Sequence, residues 1–364
     1  MARVTEYDGL RGWLLIIIAC NHLWGEFVSD FTRAPLGYVS AAEAFVFLSG
    51  YVAYFVYRKL HLTPIKQAKK ILFRTLTIYL FHICAITITF TLIFFFPFYK
   101  TMWNEFFLAG NFYLSVSEFA LASALLLEHP GYHDILIMYL FAMFFLPLTM
   151  VALKHNHWFL VLIVSIFCWL LAPIIELSDL NNLYNVLFPS LTMQISYFDP
   201  MAWQLYFYIG VLLSYAKFER NINFEFTPIV KVTLVSLAVV FMIAKHTHQF
   251  TWLSPFVANS GYAPIGLVIN LLVLSYVFML WMRHFPWLFN LKYPIFLGQH
   301  ALPVFSFHTI VVYFLLPAFH PNITHYWYWD LAACALFVAT LWIPASLDDK
   351  YHQYKKSKLT PVLI

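Results

Sequence analysis

The stretch ILFRTLTIYLFHICAITITFTLIFFF, residues 71–96, contains a single formal charge, Arg74. A helix rises about 1.5 Å per residue, so about 20 mainly apolar residues cross the hydrocarbon core of a bilayer. This segment is long enough to cross, and it has no charged face to turn toward water. Stretches of the same kind recur from Leu10 to Pro344 with short polar breaks between them. They predict spans over residues 10–27, 38–57, 71–96, 134–153, 158–176, 201–216, 229–245, 263–282, 295–317 and 326–345.

Composition leads to the same class. Of 364 residues, 62% are hydrophobic, 20% aromatic and 10% charged, whereas a soluble domain carries about 25% charged residues. So few charges cannot cover a water-facing surface. The expectation is an all-α polytopic integral membrane protein of about ten transmembrane helices, with residues 1–364 forming a single transmembrane domain. With a cytoplasmic N-terminus, all of the 21 Lys and Arg except Arg33, Lys100 and Lys245 fall on the inner side. Basic residues favour that side, so both termini are expected to be cytoplasmic.

The formal charge of +4 follows from this asymmetry. No basic tract with interleaved aromatic residues is present, which excludes nucleic acid as a partner and leaves membrane lipids as the surroundings. The inner loop from Arg58 to Arg74 collects Lys59, Lys66, Lys69 and Lys70. Positive-inside topology and anionic headgroups account for such a loop without a ligand, and phosphate is its other natural partner. Cys20, Cys84, Cys168 and Cys334 sit singly inside apolar runs and read as small hydrophobes. Two longer outer segments, Pro97–His133 and Leu177–Pro200, are rich in aromatic and amide residues. Within the first, Phe119–Leu127 is too short to cross and reads as re-entrant or interfacial.

Ionisable groups inside spans are expensive, so each one suggests either a site or an interhelical hydrogen bond. Counted at about 1.5 Å per residue, His22 lies ~18 Å above the cytoplasmic end of its span, Glu43 ~21 Å, His308 ~20 Å and His82 ~16 Å. Four spans thus bring titratable groups to one layer, with Glu26 expected a turn above His22. A lone His82 is more simply a packing residue. His22 with Glu43 is different, because an imidazole oriented by a carboxylate is a competent general base for a hydroxyl. A metal site would need three or more ligands at defined spacing, and no HxxxH or HxxE pattern occurs in these spans, so no metal is expected.

The motif Tyr7-Asp8-Gly9-Leu10-Arg11-Gly12, followed by His22 with ten residues between Arg11 and His22, resembles the signature of the membrane acyltransferase-3 superfamily. The run from Ala42 to Tyr51 (AEAFVFLSGY), then Asp199–Gln204 (DPMAWQ), then Leu297–Phe305 (LGQHALPVF), resemble its OpgC branch. That branch includes the succinyltransferase of osmoregulated periplasmic glucans. The likeness runs from Asp8 to about His308. It implies a ten-helix acyltransferase domain in a bacterial inner membrane, with cytoplasmic acyl-CoA, acetyl- or succinyl-CoA, as donor. The acceptor it implies is a hydroxyl of a periplasmic or cell-surface glycan.

The resemblance implies function for Arg11, His22 and Glu43, and His308, from the same layer, is expected to join His22 and Glu43 as a catalytic residue. Arg11, Asp8, Arg74, Lys70 and Ser49 are expected toward the donor, and Trp203, Gln204 and Asp134 toward the acceptor. Gln299-His300 departs from the family pattern of a basic residue followed by a small one. A buried His and Glu layer also suits a proton-coupled transporter or flippase, against which stands the lack of an internal repeat and of paired broken helices. A lipid-facing scaffold explains the hydrophobicity but not the convergent ionisable groups.

Overall fold

A computed structural model describes residues 4–23, 26–58, 63–107, 109–128, 130–174, 178–192, 198–247, 251–257, 260–315 and 326–359. Among these the chain is helical, with no strand. In order the α-helices are α1 Thr5–His22, α2 Glu26–Thr32, α3 Ala41–Tyr57, α4 Pro64–Phe95, α5 Lys100–Phe107, α6 Gly110–Leu114, α7 Val116–Ala124, α8 Asp134–Lys154, α9 Trp158–Leu171 and α10 Ser178–Leu187. They continue as α11 Pro200–Phe218, α12 Pro228–Thr247, α13 Ser254–Val257, α14 Ile265–His284, α15 Pro286–Phe289, α16 Lys292–Gln299, α17 Ala301–Leu315, α18 Trp327–Thr340 and α19 Trp342–Leu359. Each stretch predicted as a span contains a helix.

Among the described residues, five helical runs are long and apolar enough to cross a membrane: α4, α8, α12, α14 and Trp327–Lys358. A sixth is added if α16 and α17 form one broken span. This makes a multi-pass membrane protein, with α3 and α9 as shorter apolar helices.

Several predicted boundaries move. The stretch 10–27 is not one helix, because α1 begins at Thr5 and ends at His22, and a separate helix starts at Glu26. Glu26 therefore does not stand a turn above His22 on a common helix, and its side chain lies outside the described residues. The third span starts earlier, at Pro64, where Thr63 caps the helix by accepting from Lys66 N and Pro64 occupies the first turn. Lys66, Lys69 and Lys70 are thus on a helix rather than in a loop, and Lys59 lies outside the described residues.

The largest departure is the stretch 295–317, which breaks after Gln299 and bends by 91°. Pro303 explains it: proline has no N–H for the carbonyl four residues back, Gln299, and its ring collides with that carbonyl. The chain turns at His300 and starts again at Ala301.

The chain divides into two compact units. The first is Met1–Phe45 with Leu274–Ile364 and the second is Val46–Val273. In the first, α1 lies directly on α15 and α16, and glycines allow the approach. A Cβ at Gly9 would strike the carbonyl of Phe289, one at Gly12 that of Pro294, and one at Gly298 that of Asp8. Lipid tails are as apolar as leucine, so helices in a bilayer gain from close backbone packing and interhelical hydrogen bonds rather than from excluding water. The indole of Trp13 donates to Leu288 O at 3.0 Å. The bent pair is fixed further by Tyr293 OH donating to Val338 O and by His300 Nδ1 against Asp348 Oδ2 at 2.6 Å.

In the second unit the same device joins α3 to α11. A Cβ at Gly50 would meet Phe207 O, and one at Gly210 would meet Phe47 O. Helix α11 starts where Asp199 Oδ1 accepts from Met201 N (2.7 Å) and Ala202 N (3.0 Å) with Pro200 in the first turn. Among the described residues, the segments expected on the outer side contain short helices; the piece expected over Phe119–Leu127 is α7, and Leu126 turns the chain with φ 61°.

The buried amide of Asn111 ties those segments together. It donates to Glu128 Oε2 (2.9 Å) and Thr192 O (2.7 Å) and accepts from Thr192 N (3.0 Å). Tyr184 OH also donates to Glu128 Oε2, at 2.9 Å. Burial pushes the Glu128 carboxyl above its ordinary range, against the opposing hydrogen bonds from Asn111 and Tyr184.

Candidate active site

His22 occupies the last turn of α1, and His308 lies midway along α17. Their rings stack with centroids 5.1 Å apart at 25°, and Nδ1 of His22 is 3.0 Å from Nε2 of His308. His308 is buried and His22 half-buried.

One hydrogen is shared between the two nitrogens, and which ring donates it depends on their tautomers. With that hydrogen on His22 Nδ1, His308 Nε2 accepts and His22 Nε2 is the unprotonated, basic nitrogen.

Glu43 stands elsewhere in the geometry. Its Oε2 accepts from Ser40 N (2.9 Å) and from the Ser40 hydroxyl, while Ala42 N donates back to Ser40 Oγ (3.2 Å). Ser40-Ala41-Ala42-Glu43 is a capping box at the start of α3, a pattern that joins Ser or Thr to Glu three residues on. The Glu43 carboxylate thus bonds to Ser40, and His22 meets a second imidazole. In the same unit, Asp8 is buried and Arg11 half-buried in the first turns of α1. Arg11 and His22 are eleven positions apart on α1, about 16 Å.

The other expected residues belong to the second unit. Ser49 is buried on α3. Lys70 and Arg74 are exposed and one turn apart on α4, so both present their charge outward. Gln204 is fully engaged in a tie between α9 and α11. Its Oε1 accepts from Ser165 Oγ (2.8 Å) and its Nε2 donates to Ser165 O (2.8 Å) and Met201 O (2.9 Å).

Trp203 is completely buried against Phe198 and Tyr206, and Asp134 is a buried first-turn residue accepting from Ile135 N. In this geometry Gln204 has no amide hydrogen and Trp203 no exposed face for an acceptor. His82 is buried too, its ring 6.4 Å from that of His133 at 71°. Among the described residues no group of three or more His, Cys, Asp or Glu is placed to hold a metal ion.

Residues 3–353 match the family described as OpgC protein. The chain belongs to the OpgC protein family. The match covers nearly all of it and points to a glucan-modifying membrane acyltransferase. No curated protein matches the chain, and no solved structure does.

Three features of the first unit were not legible from the sequence. One is the Ser40 partner of Glu43. Another is the contact between the Cys20 and Cys334 thiols, which are hydrogen-bonded although 314 residues apart. The third is Asp330, a buried carboxylate in the first turn of α18 whose Oδ1 has no hydrogen-bond partner among the described residues. The residue pattern did carry a signal for the first, because Ser-x-x-Glu before an apolar run marks a helix start.

Proposed function

We propose that this protein moves an acyl group, acetyl or succinyl, from cytoplasmic acyl-CoA to a hydroxyl of a periplasmic or cell-surface glycan. It does so as a ten-span protein of the bacterial inner membrane with both termini in the cytoplasm. The observation that carries the reading is the His22–His308 pair at 3.0 Å, in which one ring can orient the other.

In this scheme His22 Nε2 takes the proton of the acceptor hydroxyl as its oxygen attacks the thioester carbonyl. The C–S bond breaks, and the departing CoA thiolate receives the proton back from His22. His308 acts through His22: by accepting from Nδ1–H it keeps the basic nitrogen in place and stabilises the transient imidazolium. Arg11 is assigned to a CoA phosphate at the opposite end of α1, and Lys70 and Arg74 are retained as donor-side cations on the sequence reading alone. Glu43 is assigned to positioning α3 through its capping box. Asp8 and Ser49 are retained on the donor side by the resemblance alone.

The test is mass spectrometry of periplasmic and surface glycans from cells expressing wild type, His22→Ala or no protein. An acetyl or succinyl increment found only with wild type supports the reading and identifies donor and acceptor together. Identical glycans in all three, with the protein folded in the membrane, sink it.

A further inference from the structure

Helix α18 runs antiparallel to α1 within the first unit, as two contacts fix. Cys334 meets Cys20, and Trp327 meets Phe27, just beyond α1, with ring centroids 5.8 Å apart. Trp327 stands seven residues from Cys334 on α18, and His22 two residues past Cys20 on α1. At about 1.5 Å per residue, the Trp327 ring lies ~7 Å beyond the level of His22, and Asp330 ~3 Å beyond it. Asp330 and Trp327 are three residues apart and share one face of α18. The Asn21 side chain, bonded by the Thr32 hydroxyl, holds α2 over this end of α1.

Trp327 is 57% exposed and Phe27 38%. Asp330 is 5% exposed, with Oδ1 lacking a donor among the described residues. A buried carboxylate oxygen without a partner is costly, and the state in which it is satisfied brings a donor to it. An open aromatic face beside such an acceptor is what a sugar ring requires: its apolar C–H face stacks on the ring, and its hydroxyl donates to the carboxylate. Asp30 and Arg33 are exposed at the same end, and the charge of Arg33 is felt at His22.

Resting on the transferase reading, we infer that Trp327, Phe27 and Asp330 form the acceptor subsite, which holds a sugar residue of the glycan beside the one presented to His22. The subsite selects oligomeric over monomeric acceptors, because a single ring at His22 does not reach Trp327. Trp329 supplies a control: it is 60% exposed on the opposite side of the same helix, where an aromatic residue serves as an interfacial anchor.

The experiment is glycan binding by the full chain in lipid nanodiscs, measured by calorimetry with extracted periplasmic glucan and with methyl glucoside. A His22→Ala background keeps binding separate from chemistry. Trp327→Ala and Asp330→Asn are each expected to weaken glucan binding roughly ten- to hundredfold, with Trp329→Ala equal to the parent. Methyl glucoside binding is expected to be the same in all of them. Unchanged glucan affinity in both Trp327→Ala and Asp330→Asn, or an equal loss in Trp329→Ala, overturns the subsite and leaves an aromatic anchor at the membrane surface. Absence of glucan binding by the parent overturns it as well. Failure of the transferase reading is read separately, as absent acyl transfer by wild type.

Discussion

Each unit of the molecule contains a histidine pair, and the two pairs differ in what their geometry allows. His22 and His308 are stacked at 25° with ring nitrogens 3.0 Å apart. His82 and His133 meet edge to face, their centroids 6.4 Å apart. In the first pair a hydrogen bond passes from ring to ring. The second is a packing contact between rings. The depth of a titratable residue in a span therefore does not identify it as chemical, whereas the direction of its ring nitrogens does.

The contrast predicts an order of effects. His22→Ala is expected to lower acyl transfer by about 10²–10⁴-fold, the range of general-base catalysis, measured as transfer rate per folded protein. His308→Phe leaves His22 without the acceptor that sets its tautomer. Its expected loss is about ten- to hundredfold, the usual effect of removing a histidine's orienting partner, with His308→Gln partly restoring the rate because its amide oxygen accepts. His82→Phe is expected to leave the transfer rate unchanged while costing about 1–3 kcal/mol of stability in a thermal or denaturant melt. A large rate loss in His82→Phe with stability intact would erase the distinction between the pairs.

Glu43 sharpens the same comparison. Glu43→Gln retains a capping-box side chain and is expected to keep most activity, whereas Glu43→Ala costs about 1 kcal/mol of stability through the lost cap. If Glu43→Gln instead abolishes transfer at full stability, the carboxylate takes part in the chemistry.

The smallest effect concerns Glu128, in the outer segments. Burial raises its carboxyl in the folded state, so between the ordinary carboxylate value and the raised one the folded protein binds more protons than the unfolded. Stability falls as pH rises through that window and is level above it. Glu128→Gln keeps an oxygen to accept from Asn111 and Tyr184 and is expected to flatten the dependence in thermal melts.

Helix positions were legible because bilayer spans are long, apolar and punctuated by charge. Their ends and breaks were less so. The bend at His300 follows from Pro303 acting on a carbonyl four residues back, a local effect that a hydropathy window averages away. In the site, the sequence supplied His22 and His308 as members of one layer but not the contact between their rings, nor the bond of Glu43 to Ser40. Depth along a helix says nothing of rotation about it, and it is rotation that turns Glu43 toward Ser40. The tie formed by Gln204 was hidden for a similar reason: an amide beside a tryptophan reads as a sugar contact until Ser165, 39 residues earlier, is seen to occupy it. Asp330 went unnoticed because acidic residues are ordinary in a first helical turn.

The most direct test of the central claim is acyl transfer by the purified protein in proteoliposomes. Radiolabelled acetyl-CoA or succinyl-CoA is supplied on the side of the termini and glucan on the other, comparing wild type, His22→Ala and His308→Phe. The account predicts label on the glucan with wild type, a residual rate with His308→Phe and essentially none with His22→Ala. Equal labelling by wild type and His22→Ala would contradict it.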